Sequence, residues 1–272
     1  MKSRLLILLA MTLAAGCATT PRGGYYQDDG PHAHPPTDLA KVPDATPRRE
    51  PLSSRGNSPY SVFGVSYRPL RSAAGYRERG VASWYGKKFH GRRTSNGETY
   101  DMYAMTAAHK TLPLPSYARV RNLSNGRSVI VRINDRGPFL ENRLIDLSYV
   151  AAWKLGIIGT GTGIVEVEGL GGDEPVMTAT APAPDPESAR KTSAPRLYLQ
   201  VGAFTSRDNA ENLKDRLARA DFAPVYIQSA QLDNTPLYRV RIGPLASVDE
   251  SDRLAARVAA QGLPHPVVVV EQ

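Results

Sequence analysis

One cysteine, Cys17, in 272 residues leaves the chain unable to form an internal disulfide. Its stability must come from packed cores rather than covalent cross-links. Long hydrophobic runs are also missing. The longest, Leu5 to Ala15, would reach only ~16 Å as a helix at ~1.5 Å per residue, short of the ~30 Å of a bilayer core. That excludes a true spanning helix there. No Gly-x-Ser-x-Gly elbow, Walker loop or His-Glu-x-x-His pair is present, so esterase, nucleotide and zinc-protease chemistry lack support. No metal-ligand spacing appears, and no cofactor or metal is expected. His32 and His34 form a His-x-His pair, but no further ligands lie nearby, and a solvated linker is the simpler reading.

What is present at the N-terminus reads as a secretory leader. Lys2 and Arg4 supply the charged region, Leu5 to Ala15 the apolar one, and small residues lead to Cys17. Leu13-Ala14-Ala15-Gly16-Cys17 resembles a bacterial lipobox, which implies a signal peptide over 1–16 and lipidation of Cys17 as the first mature residue. Ala18, in place of an Asp, implies transit to the outer membrane. Net charge is +8, or +6 once Lys2 and Arg4 leave with the leader. In a secreted chain that basic balance suits anionic lipid or wall carboxylates better than nucleic acid, which is not expected as a partner.

Residues 17–74 are rich in Pro, Gly, Ser and Arg without a sustained period of 2 or 3.6, which predicts a largely disordered tether. At ~5–6 Å × √n, ~55 flexible residues reach about 40 Å. Residues 75–170 form the first patterned block. Strand candidates are Val81–Tyr85, Tyr117–Arg121, Ser128–Ile133, Leu144–Leu147 and Ile164–Val167, with a hairpin signal at Asn125-Gly126 and a short helix from Ser148 to Gly156. Many short strands and few helices predict a small β-barrel. Residues 171–195 return to Pro, Ala, Thr and Ser, a second linker. Residues 196–272 alternate as βαββαβ, the ferredoxin-like order, with Thr205/Asp208 and Ser247/Glu250 as capping boxes. Alternation places Leu197, Leu199, Val201, Val240 and Ile242 beneath the helices. It leaves Tyr198, Gln200, Arg239 and Arg241 on the open sheet face, where an aromatic, an amide and two guanidinium groups could hold an acidic sugar polymer.

The chemistry-bearing residues concentrate between Ser95 and Asp146. Splitting a glycosidic bond needs an acid for the leaving oxygen and something to quench an oxocarbenium-like centre. A lytic transglycosylase lets the sugar's own 6-hydroxyl attack, so one carboxyl acting first as acid and then as base can suffice. The candidates are Glu98, Asp101, Asp135, Glu141 and Asp146, with His109 beside the apolar run Ala104 to Ala108.

The segment ASWYGKKFHGRRTSNGETYDMYAMTAAHKTLPLPSYARVRNLSNGRSVIVRINDRGPFLENRLIDLS resembles the double-psi β-barrel of the rare lipoprotein A family of septal-ring lytic transglycosylases. LYLQVGAF and YRVRIGPL resemble the sporulation-related repeat (SPOR) domain, which binds glycan strands stripped of stem peptides. Leu245 departs mildly from an aromatic common in that motif. The resemblance implies a six-stranded barrel followed by a ferredoxin-like SPOR domain, joined by disordered linkers: mainly β, then α+β. It carries active-site positions onto Glu98, His109 and Asp135, with Asp146 less firmly drawn from the related membrane-bound lytic transglycosylase A and expansin-like barrels. Asp135 is the expected acid/base, Glu98 shares that task or stabilises charge, and His109 orients a carboxylate or hydroxyl. Tyr85 and Phe89, with Trp84, are candidate sugar-stacking surfaces; Phe204 joins the C-terminal glycan contacts.

Two further functions stay open beside cleavage of denuded peptidoglycan at the septum. One is a non-catalytic wall-binding or wall-loosening module. The other is a tether between outer membrane and wall that needs only Cys17 and the C-terminal domain. Glycan strands, the membrane through Cys17 and divisome proteins are the expected partners.

Overall fold

The computed structural model describes residues 29–171, 194–263 and 265–271. The leader, Cys17 and the 172–193 part of the second linker lie outside the described residues. No described helix is long and apolar enough to cross a membrane.

Six strands close the barrel: β3 (Arg77–Tyr85), β4 (Thr106–His109), β5 (Ser116–Asn122), β6 (Ser128–Asp135), β7 (Ile145–Ser148) and β8 (Gly163–Leu170), in the order β3-β7-β4-β6-β5-β8. The β3–β7 and β4–β6 pairs are parallel, the others antiparallel. Ala82, Ala107, Ala118, Val131, Ile133, Ile145, Leu147, Val165 and Val167 fill the core with no exposure. Small and branched residues alternate there, as a narrow closed barrel requires. Helix α1 (Tyr149–Leu155) starts at Ser148, whose hydroxyl accepts from Ala151 N, and ends at Gly156 in the left-handed region.

Sequence reading located five of these strands and missed β4. Its run Thr-Ala-Ala-His has low β-propensity, and tertiary pairing on both sides overrides that. The β5–β6 turn also differs from the expected two-residue hairpin. Only Gly126 takes a positive φ, while the Asn125 side chain donates to Leu155 O and accepts from Arg127 N.

The larger correction concerns the N-terminal segment. Residues 29–74, expected to be disordered, run as a strap around the barrel. Leu39 is buried in the barrel core, within a 3-10 helix at Leu39–Lys41. Asp44 accepts from Ile130 N and Lys154 Nζ; Asn57 brackets Leu114 through both its N–H and C=O. Glu50 receives two hydrogen bonds from Arg132 and one from the Tyr117 hydroxyl. Then β1 (Tyr60–Val62) and β2 (Val65–Tyr67) form a free-standing antiparallel hairpin. The segment folds by satisfying barrel polar groups rather than by burying a periodic face, so its composition gave no sign of order.

The C-terminal unit has a sheet of order β10-β11-β9-β12, built from β9 (Arg196–Phe204), β10 (Val225–Leu232), β11 (Thr235–Leu245) and β12 (Val267–Glu271). Helices α2 (Arg207–Arg219) and α3 (Val248–Ala260) cover one face, completing the βαββαβ arrangement. Ser206, not Thr205, caps α2 by accepting from Asn209 N. Ser247 caps α3 through Glu250 N, while Glu250 reaches back to Ala246 N.

The two units touch. Arg143 is buried and pairs bidentately with Asp252, Asn142 Oδ1 accepts from Val268 N, and Glu141 pairs with His265 at 2.8 Å. Val81 of β3 packs into the C-terminal core. All three polar contacts come from the loop that joins Asp135 to Asp146.

Candidate active site

The register of the barrel aligns the site. Ala108 of β4 is the Cα partner of Asp135 on β6 and of Asp146 on β7; Asp146 is in turn the partner of Ser83 on β3. Ser83, Asp146, Ala108 and Asp135 therefore form one row across four strands. With strands ~4.8 Å apart, the two aspartate backbones stand about 10 Å from each other. The small Ala108 side chain between them leaves the space a cleft needs.

The two acids have different surroundings. Asp135 Oδ1 accepts from Ser95 N at 2.8 Å, Ser95 Oγ at 2.6 Å and Arg136 N at 2.8 Å. Its Oδ2 takes no hydrogen bond among the described residues. Asp146 accepts from Ser83 Oγ at the floor of the cleft. Burial pushes the Asp146 carboxyl up to about 6; the Ser83 hydroxyl, Arg143 and Lys110 pull it down, and the Asp135 charge adds to the rise. Burial thus raises one carboxyl towards neutral pH, beside a second held by three donors.

The surrounding cleft, about 280 Å³, is lined by Asp29, Phe63, Trp84, Tyr85, Phe89 and the Arg136–Leu140 turn as well as the acids. Tyr85 is mostly buried, stacked on Tyr100 at 4.0 Å, and Phe89 meets it edge-on at 6.0 Å. Both expected stacking residues therefore line the cleft while packing into the core. Asp29 receives Gly86 N and Lys88 N and anchors the start of the strap at the rim. Arg136 is buried, its guanidinium donating to Gly56, His109 and Leu112 carbonyls, which fixes the loop beside Asp135.

Glu98 and His109 are not among the cleft-lining residues. Glu98 takes both Arg132 nitrogens at 2.8 and 2.9 Å and Asn134 Nδ2 at 3.0 Å. Burial acts to raise its carboxyl, but those hydrogen bonds outweigh it and hold Glu98 below its ordinary value. It connects to the site indirectly, through Asn96 and the Thr94–Glu98 turn that presents Ser95 to Asp135. His109 follows Ala108, so the alternation of β4 turns it to the other side. Its Nδ1 accepts from Thr111 N and Leu112 N, and its Nε2 bonds the Tyr76 hydroxyl, which donates to Glu78. Burial, with Arg136 and Lys110 nearby, lowers its pKa to about 3. His109, expected to orient a carboxylate or hydroxyl, is thus placed beneath the cleft, where it ties the 109–112 turn to Tyr76.

Sequence reasoning missed Ser83, Ser95, Arg136, Asp29 and Phe63. Ser83 follows only from the barrel register, and Ser95 only from the turn that brings it to Asp135. Among the described residues no group of three or more His, Cys, Asp or Glu is placed to hold a metal ion.

On the C-terminal sheet, pairing sets Tyr198, Gln200, Arg239 and Arg241 on the face away from the helices, joined by Tyr226 and Gln228. Arg241 and Tyr198 are nonetheless buried. Arg241 pairs with Glu271, to which Gln228 also donates, and Tyr198 meets Tyr226 edge-on at 5.7 Å. Gln200 and Arg239 remain partly exposed. Phe204 packs with the helix-side core, not on the open face. Tyr226 and Gln228 are partly exposed on that face as well.

Comparison with known proteins adds the lineage. Residues 77–168 match the family described as "Lytic transglycolase", and residues 193–269 match the SPOR domain. Endolytic peptidoglycan transglycosylase RlpA of Pseudomonas aeruginosa strain UCBPP-PA14 is 44% identical, over 85% of this chain and 82% of its own. Its namesake in Vibrio cholerae is 42% identical over 94% and 93%. The crystal structure of the RlpA SPOR domain from Pseudomonas aeruginosa aligns at 44% identity, covering 27% of this chain and 96% of that one, with a TM-score of 0.26. With both domains matched in order, and full-length relatives this similar, the chain belongs to the RlpA family.

Proposed function

We propose that this protein is an endolytic peptidoglycan transglycosylase, and that Asp146 carries the proton. The observation that carries the reading is the Asp135–Ala108–Asp146 row in one cleft, with one carboxyl raised to about 6 and the other held by three donors. Asp146 gives its proton to the bridging oxygen between N-acetylmuramic acid and N-acetylglucosamine as the C1–O bond breaks. The muramyl 6-hydroxyl oxygen then bonds to C1, and its proton passes to the Asp146 carboxylate. A 1,6-anhydro end forms and no water is consumed. The Asp135 carboxylate steadies positive charge developing at C1. Glu98 acts by holding the Ser95 turn, not by touching sugar.

The C-terminal domain serves as the glycan grip, through Gln200, Arg239 and Tyr226, with strands free of stem peptides as its substrate. Cys17 anchors the chain to the outer membrane, and the septum is the site of action; the lipobox supports the anchor, and relatives named as peptidoglycan transglycosylases support a place at the cell wall. The test is digestion of purified stem-peptide-free glycan followed by mass spectrometry. Anhydromuramyl ends are expected from the wild type and none from Asp146→Asn or Asp135→Asn. Reducing ends would indicate a hydrolase. Unchanged cell separation with both variants would favour a wall-loosening module.

A further inference from the structure

The β1–β2 hairpin is fixed at its base and bare at its tip. Tyr60 stacks on Tyr67 at 5.1 Å, and both rings lean on Phe139; the Tyr60 hydroxyl donates to Lys110 O. Phe63, at the turn, is 87% exposed. Its φ is +50° and that of Gly64 is +80°. Such a turn favours Asn or Gly at the first position, and a bulky aromatic residue there is an outlier. Folding alone gives no reason for it, since the ring buries almost nothing.

Its position does give one. Phe63 lines the cleft that holds Asp135 and Asp146, together with Phe139 and Leu140. It also lines the neighbouring groove of about 480 Å³, bounded by Val65, Leu140 and the Pro266–Val268 edge of the C-terminal sheet. The two depressions therefore share Phe63, Phe139 and Leu140 as lining, and a chain running from the cleft into the groove passes Phe63. The hairpin precedes the residue 77 start of the matched lytic domain.

We propose that Phe63 is a substrate-positioning residue, a stacking platform for a pyranose unit of the glycan strand lying outside the cleft. The face of a β-linked pyranose presents a patch of C–H groups, and an exposed aromatic ring suits it, as aromatic rings serve other ligands with one apolar face. The strained turn holds the ring where packing would not. This inference rests on the transglycosylase reading given above.

The test uses the full chain, so the C-terminal grip is the same in every variant. Phe63→Asn removes the ring and places at φ +50° a residue at home there; Phe63→Trp keeps a ring. On long denuded glycan, Phe63→Asn is expected to raise KM roughly tenfold with kcat within about twofold, while Phe63→Trp stays near wild type. Melting temperature is expected unchanged or higher for Phe63→Asn, which separates loss of contact from loss of fold. Disaccharide-repeat fragments too short to extend past the hairpin tip should show a smaller rise in KM than long strands. A Phe63→Asn KM within twofold of wild type on long strands overturns the inference. So does an unmoved KM with lost sedimentation on phosphatidylglycerol vesicles, which would assign the tip to lipid. If the wild type forms no anhydro ends at all, it is the transglycosylase reading that fails.

Discussion

Asp146 spends stability on a proton. Its folded pKa of about 6 lies above the ordinary 3.8, so ionising it at neutral pH costs the folded state. Asp146→Asn is expected to abolish anhydro-end formation while raising stability at pH 7.5 by at most about 3 kcal/mol. That gain should shrink as pH falls through 6 and vanish below about 4, a trend that thermal melts across pH would read directly. Since the acid form does the work, wild-type activity should fall as pH rises through about 6, and a profile flat from pH 5 to 8 would contradict the assignment. His109 gives the opposite sign. Held neutral with a pKa of about 3, it contributes stability that is complete above pH 6.5 and is lost as pH falls towards 3. His109→Ala leaves the Thr111 and Leu112 amides without their acceptor and is expected to cost about 2–4 kcal/mol in denaturant melts. At this scale the sequence carried both aspartates, because each sits in a quotable motif. It also carried Glu98 and His109, but not their partners Arg132, Asn134 and Tyr76, which are joined to them only by the fold.

Among the elements, the N-terminal strap was the least legible. Helices α2 and α3 and most strands show in periodicity and caps, whereas Asp44, Glu50 and Asn57 sit in an unpatterned, proline-rich stretch and matter only once β5 and β6 are beside them. Arg132 joins the strap to the barrel by reaching Glu50 on one side and Glu98 on the other. The Arg132 bonds hold the Glu50 carboxyl down at about 2 against the effect of burial. Arg132→Ala should therefore loosen residues near Glu50, seen as faster amide exchange there. The cost to global stability is expected to be about 1–3 kcal/mol, since Glu98 is partly solvated. Activity should fall with it, because the same change frees the turn that carries Ser95. β4 was hidden for another reason: alanines are poor strand formers, and only a site that needs an empty place between two acids makes Ala108 the right residue.

For the molecule as a whole, the order of domains was readable from composition shifts, but their docking was not. Arg143 and Asp252 lie more than a hundred positions apart, and nothing local marks them as a pair. Arg143→Ala removes the buried half of this bridge; the two units are expected to melt separately in calorimetry in the variant and in a single transition in the wild type. The alignment of Ser83, Asp146, Ala108 and Asp135 has a consequence in time as well as in space. The row draws on β3, β7, β4 and β6, whose members are scattered from Ser83 to Asp146 and paired in non-sequential order. No early fragment of the emerging chain contains it. Cutting power against the wall should then appear only at the last step of folding, when the cylinder shuts. A chain still folding is expected to leave glycan uncut until that pairing is complete.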